Sequence, residues 1–166
     1  MHANSIIFKP LKLEHCAQLH EWLQLKHVMQ FWDDGDRTLQ QVIDHYLVDD
    51  NTLRYIFYID GEAAGYFQSY KIMPDSQDVY AKFALADMDH IGIDFFIGNI
   101  LFLDKGLAST ILYYFIRTYC GSNLRIIADP ESTNSRALHI YQKYGFTKIG
   151  EYMANNKSYS ILALDI

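Results

Sequence analysis

Cysteine is nearly absent. The 166-residue chain has two, Cys16 and Cys120. Two such distant thiols give neither a metal-binding spacing nor a disulfide framework. Both fall in segments that read as apolar helices, where buried thiols are expected. The seven histidines show no ligand spacing, so no metal is expected. Basic charge is in deficit: 14 Lys and Arg stand against 20 Asp and Glu, a formal net charge of −6. That argues against nucleic-acid binding, which needs a basic face. It suits a small cationic partner, although many ordinary proteins are this acidic. No apolar run reaches the length of a membrane span. The start, MHANSIIFKP, lacks the basic residues and long apolar core of a signal peptide. A cytoplasmic protein without a membrane partner is expected, as a monomer or weak homodimer. Repeats, low-complexity tracts and linkers are missing too, so residues 1–166 read as one domain. What the chain has in abundance is apolar (50%) and aromatic (15%) side chains. It can bury a sizeable core, and disorder is excluded.

The periodicities give an α/β order. Ser5–Leu11 alternates as a strand and stops near Pro10. Glu14–Leu25 has helical apolar spacing at Ala17, Leu19, Trp22 and Leu23. His27–Asp36 is irregular. Thr38 with Gln41 is a capping-box signal for a helix over Leu39–Val48. Leu53–Ile59 and Ala63–Tyr70 flank Asp60-Gly61, a hairpin signal. Lys71–His90 has no clear period and reads as a loop or a partly ordered excursion. Ile91–Ile97 is a strand, Gly106–Cys120 a helix, Leu124–Ala128 a strand, and Asn134–Tyr144 a helix closed by Gly145. Phe146–Tyr152 and Lys157–Leu164 are the last strands. Strands and helices interleave in the second half, which implies some parallel pairing. The hairpins make the sheet mixed.

Gly92–Ser109 carries the chemistry. An acid, Asp94, sits inside an apolar strand, where burial is costly unless it is paired. A short Gly-containing turn follows, Asp104-Lys105-Gly106-Leu107-Ala108-Ser109, and then a helix. The first N–H groups of a helix lack intrahelical partners and stand at its positive dipole end. A phosphate fits there.

Two signatures then occur in order: Lys105-Gly106-Leu107-Ala108 at a strand–helix junction, and Asn134-x-x-Ala137-x-x-x-Tyr141-x-x-x-Gly145-Phe146. Together they resemble the GCN5-related N-acetyltransferase (GNAT) superfamily over nearly the whole chain. The family's phosphate turn opens with Gln or Arg, and here that position is Leu103. The contacts there are mainly backbone N–H, so the departure removes a side chain and not the cradle. A narrower set is similar to bacterial aminoglycoside 6′-N-acetyltransferases: Glu21-Trp22-Leu23, Phe31-Trp32, Gly61-Glu62, Gly65–Tyr70, Gly92-Ile93-Asp94 and Asp129-Pro130. Siderophore-pathway acetyltransferases share part of this layout.

The resemblance implies a mixed, mostly antiparallel sheet of six to seven strands, flanked by about four helices and splayed at its central parallel strands. It implies acetyl-CoA as co-substrate and direct transfer to the 6′-amine of an aminoglycoside in a ternary complex. Lys105, Gly106, Leu107, Ala108 and Ser109 would cradle phosphates. Phe95, Phe96 and Ile97 would pair with the pantetheine, an N–H near Phe96 polarising the acetyl carbonyl. Asn134 would cap its helix and bond the pantetheine arm, and Arg136 would meet a phosphate. Tyr141 would be the general acid. Asp94 would hold the amine and accept its proton, the alternative being a structural acid. Asp129 would face the same amine, the alternative being a turn-forming Asp before Pro. Which of the two is the base stays open. Phe31, Trp32, Tyr66, Gln68 and Tyr70 would wall the acceptor site, the alternative, above all for Phe31 and Tyr66, being core residues. Asp33, Asp34 and Asp36 would steer polycations or form a solvated loop. Two other functions are open: acetylation of another small amine, such as a siderophore precursor, and non-catalytic acyl-CoA binding.

Overall fold

A computed structural model describes residues 5–32, 34–73, 79–85 and 87–166. The strands are β1 (Ile6–Pro10), β2 (Thr52–Ile59), β3 (Glu62–Lys71), β4 (Asp89–Ile97), β5 (Leu124–Ala128), β6 (Thr147–Ala154) and β7 (Lys157–Asp165). The helices are α1 (Cys16–Leu23), α2 (Lys26–Met29), α3 (Leu39–Tyr46), α4 (Ala108–Tyr119) and α5 (Ser135–Tyr144). The strands form one mixed sheet in the order β1-β2-β3-β4-β5-β7-β6. β1 and β2, β5 and β7, and β6 and β7 pair antiparallel, while β4 and β5 run parallel. The β4–β5 ladder covers Asp89–Gly92 only, and β4 runs on to Ile97. The two central strands therefore splay beyond Gly92.

The chain packs as two compact units, one from residues 1–68 and 95–114, the other from 69–94 and 115–166. In the first, Leu19, Trp22, Leu23, Val28, Val42, Tyr46, Ile56 and Tyr66 form a core, with Trp32 and Phe96 against it. α1 buries Cys16, Leu19, Trp22 and Leu23, while Ala17 is exposed. The thiol, not Ala17, shares the apolar face, because Cys16 lies three residues before Leu19 and seven before Leu23. The irregular stretch after α1 contains the short helix α2, which Leu25 starts by accepting from Val28 and Met29 N–H.

The capping box at α3 forms as expected: Gln41 N–H donates to Thr38 Oγ1 at 3.3 Å, and Thr38 N–H to Gln41 Oε1 at 2.8 Å. Thr38→Ala should lower stability by about 1 kcal/mol, read as a lower denaturation midpoint with an unchanged slope. The β2–β3 turn has φ of 50° at Asp60 and 87° at Gly61. Two consecutive left-handed residues let a two-residue turn follow the strand twist.

In the second unit, Ile72, Ile127 and Ile161 pack with Tyr70, Tyr80, Phe83, Ile149 and Tyr152. Residues 79–85, part of the segment read as a loop, are pinned from several directions. Ala81–Phe83 makes a 3₁₀ turn. Phe83's carbonyl accepts from Arg125, whose fork also grips Asp165 through two bonds of 2.7 Å. An added Cβ at Gly150 would stand 2.4 Å from the Phe83 ring. Cys120 lies just past α4 and is half-buried, where burial pushes its thiol up to about 11.

His90 is 1% exposed, and its Nε2 accepts from Leu85 N–H at 2.8 Å. Burial, and then the charge of Arg125, hold the ring below the usual histidine value of 6.5. The folded state therefore binds the proton less readily than the unfolded chain. His90's contribution is complete above about pH 6.5 and is lost as pH falls from there through the lowered folded value. Stability should drop between pH 7 and pH 5 in denaturant titrations, and His90→Gln should flatten that drop.

Candidate active site

In the second unit the charges of Asp94 and Asp129 both act on the phenol of Tyr141. Asp94 lies in β4, two residues past the end of the β5 ladder, and is partly exposed. Asp129 follows β5 directly and is also partly exposed. Tyr141 in α5 is 6% exposed, with its ring edge-on to Phe146 at 5.1 Å. Burial, and then the charges of Asp94 and Asp129, push its phenol well above the usual tyrosine range. It stays a proton donor at neutral pH. Asn134 caps α5, its Oδ1 accepting from Ala137 N–H at 3.0 Å. Arg136 is exposed on the same helix.

Tyr70 lies across the backbone of β4. A Cβ on Gly92 would fall 2.2 Å from its ring and 2.5 Å from its hydroxyl. The Gly in Gly92-Ile93-Asp94 therefore makes room for an aromatic ring two residues from the acid. Sequence reasoning missed two further residues. Tyr80 and Tyr152 each donate a hydroxyl hydrogen bond to Asp129 Oδ2. They lie 49 and 23 residues from it, and nothing in their local spacing distinguishes them from the chain's other tyrosines.

The first unit carries the Asp104–Ser109 turn and, of the aromatic candidates, Trp32 and Tyr66. φ is 57° at Asp104 and 69° at Gly106. A Cβ on Gly106 meets nothing within 4 Å. The glycine therefore answers to backbone conformation and outward approach, not to crowding by the protein. Lys105 is exposed, Leu107 is buried at 3% and Ala108 and Ser109 are partly exposed. Ile111 N–H bonds the Leu107 carbonyl, so the preceding first-turn N–H groups of α4 lack intrahelical acceptors. This is the donor set a pyrophosphate requires.

Other expectations need correction. Tyr66 is fully buried and donates its hydroxyl to Gln68 Oε1 at 2.8 Å, so it supports Gln68 and does not form a wall. Trp32 is half-buried, edge-on to Phe96 at 4.9 Å and Tyr66 at 5.8 Å, and its indole donates to Tyr46 at 2.8 Å. Tyr46 donates to Asp34 Oδ2, and Arg37 donates to Asp34 Oδ1 at 2.8 Å. Asp34 is partly buried, which works against its charge, but the bonds from Tyr46 and Arg37 prevail and hold its carboxyl below the usual range. It is a structural acid joining the α2–α3 connection to α3. Asp36 is exposed, and Asp33 lies outside the described residues. Ile97's carbonyl accepts from the His27 ring at 3.0 Å, and Gly98 and Asn99 N–H both bond the Ala64 carbonyl. Backbone pairing with a ligand over Phe95–Ile97 therefore narrows toward Phe95 and Phe96, Phe95 stacking on Phe67 at 5.4 Å. Among the described residues, no group of three or more His, Cys, Asp or Glu could hold a metal.

Residues 12–154 match the model of the acetyltransferase (GNAT) domain. The chain belongs to this family. It is an acyltransferase by membership. It is similar to aminoglycoside N(6′)-acetyltransferase type 1 from Klebsiella pneumoniae and from Serratia marcescens, at 29% identity over 157 residues, covering 89% of this chain and 77% of each relative. Aminoglycoside acetyltransferase AAC(6′)-Ib, solved with coenzyme A and kanamycin, superposes with a TM-score of 0.78 at 26% identity, covering 97% of this chain and 95% of that one. An uncharacterised Bacillus halodurans protein shares the GNAT fold with a TM-score of 0.85 at 22% identity, covering 96% of this chain and 83% of that one. No helix among the described residues is long and apolar enough to cross a membrane.

Proposed function

We propose that this GNAT protein, acting as a single domain, transfers acetyl from acetyl-CoA directly to the 6′-amine of an aminoglycoside in a ternary complex. The observation that supports this reading is that the charges of Asp94 and Asp129 both act on one buried phenol, Tyr141. Two carboxylates suit an acceptor that arrives as a polycation, and a high-pKa phenol suits a leaving thiolate. The names of the relatives, aminoglycoside N(6′)-acetyltransferases, supply the acceptor class.

Lys105–Ser109 would hold the phosphates through backbone N–H groups, Phe95 and Phe96 the pantetheine, and Asn134 and Arg136 its arm and a phosphate. The left-handed Gly106, with its open Cβ direction, and the start of α4 just after it fit such a ligand. Bound there, acetyl-CoA supplies an activated thioester carbonyl. Asp94 holds the acceptor ammonium and accepts its proton, directly or through water. Asp129 adds a second anion facing the same amine. Tyr141 keeps a proton for the departing sulfur. Gln68, oriented by Tyr66, and Tyr70 border the acceptor, with Trp32 supporting Phe96. Such an activity in the cytoplasm would support antibiotic resistance.

An acceptor panel tests the reading. CoA release should be fastest with kanamycin or tobramycin and slow with hydroxylated siderophore-type amines or spermidine. Preference for a siderophore-type amine would move the activity to the alternative acceptor. Tight acetyl-CoA binding with no turnover on any amine would make the protein a binding module.

A further inference from the structure

Asp129 is gripped by groups that the chemistry above does not use. Tyr80, from the pinned 79–85 loop, and Tyr152, from β6, both donate to Asp129 Oδ2 at 2.5 Å. Their hydroxyls are 3.5 Å apart. A carboxylate oxygen offers two lone-pair directions, and the two phenols engage both on Oδ2.

Each phenol is itself fixed. Tyr152 stacks on Tyr159 with centroids 5.1 Å apart and planes at 15°. Tyr80 meets Tyr152 edge-on at 6.3 Å and, at a tilt, Tyr70 at 6.5 Å, the ring that crosses Gly92. Packing alone would be served equally by phenylalanine. Two hydroxyls converging on one oxygen at a partly buried acid make a specific constraint. Burial first, and then Tyr70 and Asp129 for Tyr80 and the Asp129 bond for Tyr152, raise both phenols far above the usual tyrosine range. Both remain donors at neutral pH.

We propose that Tyr80 and Tyr152 are positioning residues that lock the Asp129 carboxylate in one orientation as the anchor for an ammonium group of the acceptor. This rests on the reading of Asp129 as part of the acceptor site. The carboxylate then meets the cation without first losing rotamer freedom, so the pair acts on acceptor affinity rather than on the acetyl donor.

Tyr80→Phe and Tyr152→Phe keep the rings and their packing and remove only the hydroxyls. Steady-state kinetics are measured with kanamycin and acetyl-CoA, in the wild type and in Asp129→Ala. Each Tyr→Phe change should raise KM for kanamycin about tenfold, the scale of one hydrogen bond to a charged group. kcat and KM for acetyl-CoA should hardly move. In Asp129→Ala, the same changes should have almost no further effect, because the oxygen they orient is gone. Wild-type KM for kanamycin in both Tyr variants, with Asp129→Ala impaired, would overturn the proposal. So would equal losses with and without Asp129, which would make the tyrosines merely structural. If Asp129→Ala itself leaves KM for kanamycin unchanged, or the wild type acetylates no cationic amine, the acceptor-site reading fails and the anchor falls with it.

Discussion

Replacing Asp94 by Asn should lower kcat with an aminoglycoside acceptor by about 10²- to 10⁴-fold, the span that a positioned general base contributes. The amide is nearly isosteric, so β4 should keep its strand. It can neither neutralise the arriving ammonium nor take its proton. Affinity for acetyl-CoA should stay near wild type, because the proposed cradle is a different stretch, Lys105–Ser109. Raising the pH should restore part of the lost rate by deprotonating the amine in solution. Steady-state kinetics give the first quantity and calorimetric titration with CoA the second. Activity equal to wild type would remove Asp94 from the mechanism. A parallel collapse of CoA affinity would make it a structural acid.

The second large effect is on the fold. Gly65→Ala should destabilise the protein by about 3 kcal/mol, the upper end of overpacking costs. The new Cβ would stand 2.2 Å from the Phe96 carbonyl oxygen and 2.5 Å from the Phe57 ring. The nearest atom is backbone, so no rotamer change relieves the clash, and β4 must shift at Phe96. The expected fall in melting temperature is about 6–12 °C for a chain of this size. Because Phe96 is also a candidate pantetheine contact, KM for acetyl-CoA should rise together with the loss of stability. A melting temperature within a degree or so of wild type would mean that β3 and β4 yield here far more easily than packed strands do.

Local signals were legible where local chemistry decides the structure. Thr38 and Gln41 announce α3 because a capping box is closed by residues three apart. Asp60-Gly61 announces its hairpin because two left-handed residues in a row need those side chains. β5 runs over the expected Leu124–Ala128 because a short apolar run buried on both faces leaves little choice of ends. α2 and the 79–85 turn were not legible. α2 is one short turn, and the second is held by Arg125, Gly150 and Asp129, whose positions only the folded chain reveals.

The site divides the same way. Asn134, Gly106 and Tyr141 stood out through motif spacing; Asn134 caps its helix as expected, Gly106 lies in a left-handed turn and Tyr141 is a buried phenol. The acceptor residues were harder to sort. Trp32, Tyr66 and Tyr70 share a residue class, yet Tyr66 is core, Trp32 is half core, and Tyr70 lies beside Gly92. Period-2 alternation says which residues share a face of a strand. It does not say whether another aromatic already covers that face. Asp34 likewise looked like one acid of a solvated cluster until Tyr46 and Arg37 claimed both of its oxygens.

The most direct test incubates the full chain with acetyl-CoA and kanamycin, follows CoA release, and locates the modification by mass spectrometry of product fragments. The expected result is catalytic CoA release with a single acetyl group on the 6′-amine. No CoA release at millimolar kanamycin, from protein that binds acetyl-CoA, would contradict it.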